Sequence, residues 1–218
     1  MRKFLVTATL IGALFGFLSV PAFAVNILGN PGFETGSLPP WFESQSCDPS
    51  VPQCEDWNVT AADNHTPGGS FSATVVTSTS TSTFGAGPRL RQNFSPVPTS
   101  SITQVSFWNK YPDATFPGAD FQASLDFLYS DSTHTSFAAH NNTGDWTFHD
   151  FTLDLTPGKD LVGIFIGSEG DLVNQTTFRR MFLDDVIVDA AVPEPGSLAL
   201  FAVGCFGFGG LQFFRRRR

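Results

Sequence analysis

The stretch Phe121-Gln122-Ala123-Ser124-Leu125-Asp126-Phe127-Leu128-Tyr129 alternates apolar and polar positions with a period of two. That is the pattern of a strand with one face in a core and the other toward water. The same alternation runs from Ile102 to Trp108, with Ile102, Gln104, Ser106 and Trp108 on one face and Thr103, Val105 and Phe107 on the other. It recurs from Trp146 to Leu155, while Leu161 to Ile166 and Met181 to Val188 are denser apolar runs of strand length. Turn formers separate them: Thr66-Pro67-Gly68-Gly69, Phe116-Pro117-Gly118, Asn141-Asn142-Thr143-Gly144 and Thr156-Pro157-Gly158. The tract Ser78 to Thr83 suits either an edge strand or a loop. No segment between 25 and 192 has the period of an amphipathic helix. Eight to ten short strands with closely spaced turns predict an all-β fold, an antiparallel jelly-roll β-sandwich.

The two ends break this pattern. Arg2 and Lys3 precede an apolar stretch from Phe4 to Leu18, and Ala22-Phe23-Ala24 offers small residues where a signal peptidase cuts. The pattern predicts a secretory signal peptide over residues 1–24, cleaved after Ala24. At the other end Val192-Pro193-Glu194-Pro195 is followed by an apolar run from Leu198 to Phe214 and then by Arg215, Arg216, Arg217 and Arg218. A helix of that length spans about 25 Å, slightly short of a bilayer's hydrocarbon core. Gln212 and four glycines make it a weak permanent anchor. The terminal arginines favour the cytoplasmic side, which leaves the intervening body exported.

This three-part ending resembles the PEP-CTERM sorting domain of Gram-negative bacteria. The resemblance implies that the tail, residues 192–218, is recognised at the inner membrane and cut near Pro-Glu-Pro by an exosortase, in organisms that make exopolysaccharide and biofilm. Its prolines and Glu194 would be substrate residues. The expected destination is the cell surface or the extracellular space, with membrane anchoring by the tail before processing.

The exported body, residues 25–191, has the length of one domain. Formal net charge is −8 for the whole chain, yet six of the twelve basic residues lie in the two end segments, leaving 19 acids against 6 bases between 25 and 192. So acidic a body argues against nucleic acid, which needs clustered Lys and Arg. It suits an extracellular domain that binds divalent cations. Of three cysteines, Cys205 lies in the apolar tail. Cys47 and Cys54 remain, and an oxidising compartment favours a disulfide between them, worth about 2 to 3 kcal/mol. Two cysteines without further ligands at the right spacing fall short of a zinc site.

A second set of segments occurs in order through the body: Asn30-Pro31-Gly32-Phe33-Glu34-Thr35-Gly36, Trp57-Asn58-Val59, His65 to Ala73, Leu90-Arg91-Gln92 leading to Val105-Ser106-Phe107-Trp108, and Phe182-Leu183-Asp184-Asp185-Val186. The order is similar to that of the galactose-binding-like jelly roll of carbohydrate-binding module families 4, 9 and 22. The resemblance implies a structural calcium ion held by Glu34, Asp184 or Asp185 and by carbonyls such as those of Gly32 and the Gly68-Gly69 turn. Calcium takes six to eight oxygen ligands, which such a set would partly supply.

Sugar recognition needs flat aromatic faces and groups that read hydroxyls. Trp108 and Trp146 fall on strands and are expected in the core, and Trp57 sits where the related modules bury a tryptophan. Trp41 and Tyr111 lie beside Pro39-Pro40 and Pro112. Their loop-like surroundings make them the stacking candidates, with Asn109 and Asp113 as hydroxyl partners. The four histidines lack metal-ligand spacing. No phosphate-binding glycine loop or nucleophile signature is present, and abundant acids do not by themselves make a glycosidase pair.

The reading is an exported, non-enzymatic surface or matrix protein that binds glycan or contributes to exopolysaccharide and biofilm. Its alternatives are a structural matrix protein without a ligand and an extracellular glycan hydrolase. Its expected partners are signal peptidase and exosortase during export and extracellular polysaccharide afterwards. In a host with the exosortase, material shed into the medium is expected to lack the residues after Pro195. An intact mass that still includes Arg218 would contradict this.

Overall fold

In a computed structural model of the chain, residues 23–45, 54–78, 88–112, 114, 121–171 and 178–192 are described. They form eleven strands: β1 (Phe23–Asn26), β2 (Phe42–Gln45), β3 (Glu55–Thr60), β4 (Ser72–Ser78), β5 (Arg89–Pro98), β6 (Ile102–Lys110), β7 (Phe121–Tyr129), β8 (His134–His140), β9 (Thr147–Asp150), β10 (Asp160–Asp171) and β11 (Phe178–Val192). The only helical pieces among the described residues are two single 3-10 turns, Thr99–Ser101 and Thr152–Asp154. Two antiparallel sheets make a jelly-roll sandwich. The first sheet runs β3-β4-β11-β6-β9, with β1 also pairing with β11, and the second runs β2-β5-β10-β7-β8. Residues 25–190 form one compact unit.

The alternation in 121–129 becomes β7, whose Phe121, Ala123, Leu125, Phe127 and Tyr129 point into the core. They meet Val105 and Phe107 of β6, Leu161, Ile164 and Ile166 of β10, and Met181, Leu183 and Val188 of β11, all at most 1% exposed. The opposite face of β7 was expected to be wet. Instead Gln122, Ser124 and Asp126 are also buried.

Both denser apolar runs owe their density to β-bulges. In β10 the pairing with β5 and β7 shifts between Leu161 and Gly163, so that Leu161 and Ile164, three residues apart, both face inward. In β11 the register against β6 shifts between Asp184 and Ile187. The inward side therefore changes from Met181 and Leu183 to Val186 and Val188. An extra residue in one strand reverses the faces of everything beyond it.

The stretch 146–155, expected as one strand, is strand only from Thr147 to Asp150, after which Phe151 turns the chain into a 3-10 turn. The Asp150 carboxylate caps that turn by accepting from the Thr152 backbone N–H and hydroxyl at 2.9 and 2.6 Å. This ends the strand locally, as side chains of Asp commonly do.

Of the expected end segments, Ala24 and Val192 fall within β1 and β11, while Ala22 and Pro193–Arg218 lie outside the described residues. Among the described residues no helix is long and apolar enough to cross a membrane. Cys54, just ahead of β3, is bonded as a disulfide cysteine, and its expected partner Cys47 lies outside the described residues. Most of the Ser78–Thr83 tract does so too.

β9 carries a titratable group on its inner side. His149 lies 5.4 Å from the Phe107 ring, with Nε2 3.1 Å from Asn109 Oδ1. Burial, with the charge of His140 adding to it, pushes its pKa down from 6.5 to about 4. The unfolded chain therefore binds a proton that the folded chain refuses. Stability conferred by neutral His149 is complete above its unfolded value near 6.5 and is lost as pH falls toward about 4. His149→Gln is expected to flatten the melting temperature over this window, as thermal unfolding at a series of pH values would show.

Candidate functional site

The β11 bulge that reverses the core-facing side also creates the most polar feature of the first sheet. Asp185 adopts a positive φ of 46°. Asp tolerates the left-handed region better than most residues because its short side chain bonds locally. As a result two adjacent carboxylates turn to the same side, where a strand would normally send them to opposite faces. Both reach the loop between β3 and β4. Thr66 Oγ1 donates to Asp185 Oδ1 at 2.6 Å and lies 3.1 Å from Asp184 Oδ1. Asp184 Oδ2 accepts the backbone N–H groups of His65 and Thr66 at 2.8 and 3.1 Å, and the His65 ring sits 2.8 Å from Asp185 Oδ2.

Asp184 is fully buried, and burial raises its pKa despite the backbone donors that work the other way. The chain before β2 completes the clamp. Asn30 and Phe33 also take positive φ, shaping a turn that brings Gly32 against both aspartates. A Cβ on Gly32 would lie 3.5 Å from Asp184 Oδ1 and 3.6 Å from Asp185 Oδ1. From the same turn Glu34 accepts from Ser70 N at 2.7 Å, Phe71 N at 3.3 Å and Asn64 Nδ2 at 2.9 Å. A side chain at Gly69 would collide with its carboxylate.

All four residues expected around calcium thus converge on one loop. Their fit to a hard cation is partial. Asp184 Oδ1, Asp185 Oδ1 and Thr66 Oγ1 approach one another, but Glu34 turns both oxygens to the loop backbone and Asn64. Among the described residues no group of three or more His, Cys, Asp or Glu side chains gathers as a metal cluster. What the geometry does show is that three carboxylates organise residues 63–71 over the outer face of the first sheet.

That face carries the exposed aromatics. Trp108 points outward, directly across from Asp184 on one side and Phe148 on the other. His65 stacks on Trp108 at 3.8 Å and 20°, Phe148 lies 5.3 Å from Trp108, and Trp146 lies 5.5 Å from His65. Trp146 Nε1 donates to Asp63 Oδ1 at 3.1 Å, and Lys110 Nζ reaches Asp63 Oδ2 at 2.7 Å. Burial alone would raise the pKa of Asp63, but the bonds from Lys110 and Trp146 hold it below the ordinary carboxylate value.

The two sets of aromatic expectations are therefore exchanged. Trp108 and Trp146, expected in the core, are partly exposed. Trp41 and Tyr111, expected as stacking faces, are 2% and 0% exposed. Trp41 plugs the core beside Phe33 at 5.8 Å, its indole donating to Asn30 O at 3.2 Å. The Tyr111 hydroxyl donates to Gln122 O at 2.7 Å. Asn109, expected to read hydroxyls, is fully buried and accepts from Asn141 Nδ2 at 3.0 Å. Asp113 lies outside the described residues. Trp57 is buried, as expected, and donates to Pro88 O at 3.0 Å.

The outer face of the second sheet differs in kind. Phe42, Arg91, Phe165 and Asp126 are register partners in a row across β2, β5, β10 and β7. In the next row Arg89, Gly167 and Ser124 align. Gly163 and Gly167 leave the centre of β10 without side chains on either side of Phe165. At Gly163 a Cβ would lie 2.7 Å from Asn93 Oδ1, so that position requires glycine. The result is a shallow trough. The Arg91 guanidinium lies over Phe165 at 4.5 Å and over Phe42 at 5.7 Å, and its Nε donates to Asn93 Oδ1 at 2.6 Å. Arg89 bonds Asp126 Oδ2 at 2.6 Å. Asp126 Oδ1 and Gln122 Nε2 are buried without a hydrogen-bond partner. Sequence reading passed over this face because it holds neither Trp nor Tyr.

Comparison with known proteins gives the ending and the fold. A family model, the PEP-CTERM protein-sorting motif, matches residues 191–218, so the chain carries that sorting signal. No curated protein matches the chain. Among solved structures, the carbohydrate-binding module TmCBM61 in complex with β-1,4-galactotriose is 18% identical, covering 75% of this chain and 97% of that chain at a TM-score of 0.46. The CBM22-1 xylan-binding domain from Paenibacillus barcinonensis Xyn10C is 13% identical, covering 80% and 99%, with a TM-score of 0.49. The enzymatically active domain of bacteriophage CBA120 tailspike protein 4 is 16% identical and gives 0.51, covering 77% of this chain but 22% of that one. At these identities the likeness is one of fold.

Truncating Asp184 leaves the His65 and Thr66 amides without their buried acceptor. Asp184→Ala is expected to lower stability by about 3 kcal/mol. Hydrogen exchange should rise at residues 63–71 and stay slow in β7 and β10.

Proposed function

We propose that the chain is an exported, non-enzymatic glycan-binding protein of the cell surface or extracellular matrix, and that the trough on the second sheet is its binding face. The observation that carries the reading is the row Phe42–Arg91–Phe165–Asp126 beside two glycines. A pyranose has apolar C–H faces and a polar rim, so a site for it needs a ring to stack on and fixed donors and acceptors beside it. Phe42, 43% exposed, supplies an open ring, and Arg91, laid over Phe165 and held in place by Asn93, presents donors beside it. Asp126 Oδ1, across from Phe165, supplies hydrogen-bonding capacity that the protein itself leaves unused, and such a group gains most from a ligand that satisfies it.

The sorting signal supports delivery by export. Signal peptidase and exosortase are its proposed processing partners and the inner membrane its transit point. Extracellular polysaccharide, in a biofilm or exopolysaccharide setting, is the proposed ligand.

A structural calcium ion at Asp184 and Asp185, with Gly32 and Glu34 nearby, belongs to the same proposal. Convergence of two carboxylate oxygens and the Thr66 hydroxyl supports it. Binding there would also relieve the burial of an ionised Asp184.

The test is affinity electrophoresis of the full-length chain through native gels containing galactan or xylan. Arg91→Ala with Phe165→Ala is expected to weaken retention about tenfold or more. Unchanged retention would contradict the trough. In parallel, calcium is expected to raise the melting temperature and a chelator to reverse the rise; melting curves indifferent to both would remove the ion from the account.

A further inference from the structure

We propose that the aromatic platform on the first sheet is a second and independent site for a neutral polysaccharide, so that one molecule holds two glycan chains on opposite faces of the sandwich. The ligand class rests on the glycan-binding reading above. The site does not, since it shares no residue with the trough.

The platform is built from Trp146 and Phe148, joined by the His65–Trp108 stack. Phe148 is 43% exposed, and both tryptophans are partly open. Three neighbouring rings on the outside of a sheet are an unusual expense of apolar surface unless something covers them. Their setting says what. Trp146 is fixed before any ligand arrives, because its indole N–H is tied to Asp63, and Asp63 is tied in turn to Lys110. A ring already held in place loses little freedom on binding, which favours affinity. The Asp63 carboxylate and the Lys110 ammonium then stand beside the rings as acceptor and donor for hydroxyl groups. Apolar faces with a polar rim at their edge match a sugar better than an all-apolar protein surface.

Charge narrows the ligand further. Asp63 bonds Trp146, Asp185 bonds the His65 ring, and Asp145 and Asp150 flank Trp146 and Phe148 along the chain, against the one cation Lys110 among these contacts. An anionic polymer or a nucleic acid would meet like charge there. An uncharged chain would not. Topology favours this, because β9 is the last of the described strands in its sheet and Phe148 on it is 43% exposed. A linear polymer can run past Phe148 without having to end there.

With sites on opposite faces, the protein would bridge polysaccharide chains. Bridging multiplies retention in a polymer network without any new contact.

The full-length chain, Trp146→Ala with Phe148→Ala, Arg91→Ala with Phe165→Ala, and the combination of all four are compared in galactan and xylan gels and by the viscosity of galactan solutions. Each double variant is expected to be retained about tenfold more weakly yet still measurably, while the quadruple variant runs as in a sugar-free gel. Only the unaltered chain should raise viscosity.

If the Trp146 and Phe148 changes have no effect in either background, the platform is overturned and the trough stands. If they abolish retention and the Arg91 and Phe165 changes do nothing, the trough is overturned and the platform stands. Retention indifferent to both pairs, or no retention of the unaltered chain, overturns both. Should the Trp146 variant fail to fold, acrylamide quenching of tryptophan emission in the Arg91 and Phe165 variant replaces it. Galactan is expected to shield that emission, and unchanged quenching overturns the platform. Ring burial by self-association instead of sugar would appear as concentration-dependent dimerisation in sedimentation, and that also overturns it.

Discussion

The one-residue shift in the register of β11 at Asp184 and Asp185 governs more of this molecule than any other single feature. Before the shift Met181 and Leu183 fill the core; after it Val186 and Val188 do. A regular strand could keep only one of these pairs inside. The same shift turns two carboxylates outward together, and they hold the loop that carries His65 onto Trp108. Core packing, the polar clamp and the aromatic face are thus consequences of one backbone irregularity, made tolerable by an aspartate in the left-handed region. The strain is local, and the backbone N–H groups of His65, Thr66 and Asp185, all donating to Asp184, offset it.

The two outer faces then follow different chemistry. On the first sheet, rings are exposed and polar groups pair among themselves at the margin. On the second, Arg89 and Arg91 lie along a strip of missing side chains, with Asp126 bonded to Arg89. Ordinary antiparallel sandwiches wet one face of each sheet with small polar residues. Here the outward residues of β7 are buried, and β6 turns Trp108 outward. Both departures cost solvation without adding to the core, and both are the kind of local inconsistency found where a protein is shaped for a ligand.

Much of the fold was legible in the sequence. Period-2 alternation located β6 and β7, and apolar runs located the centres of β10 and β11. The sorting signal was legible as well, because its three parts are contiguous. Alternation could not say which face of β6 is inside. Val105 and Phe107 fill the core and Trp108 does not, although tryptophan is the larger apolar side chain. That choice depends on Asn109 being needed inside, where Asn141 and His149 meet it. Proline-rich surroundings marked Trp41 and Tyr111 as loop residues correctly, yet loop aromatics plug the ends of a sandwich as readily as they face water. The trough was invisible for another reason. Phe42, Arg91, Phe165 and Asp126 come from four strands, and only the register aligns them. The bulges also escaped, since an extra residue has meaning only against a partner strand.

The central claim is that glycan binds across β5, β10 and β7. Its most direct measurement is a titration of the isotopically labelled full-length chain with a neutral galactan oligosaccharide, followed through backbone amide shifts. The account predicts saturable shifts at Arg91, Gly163, Phe165 and Gly167. Shifts absent from these four positions at saturation, or confined to the loops at the ends of the sandwich, would contradict it.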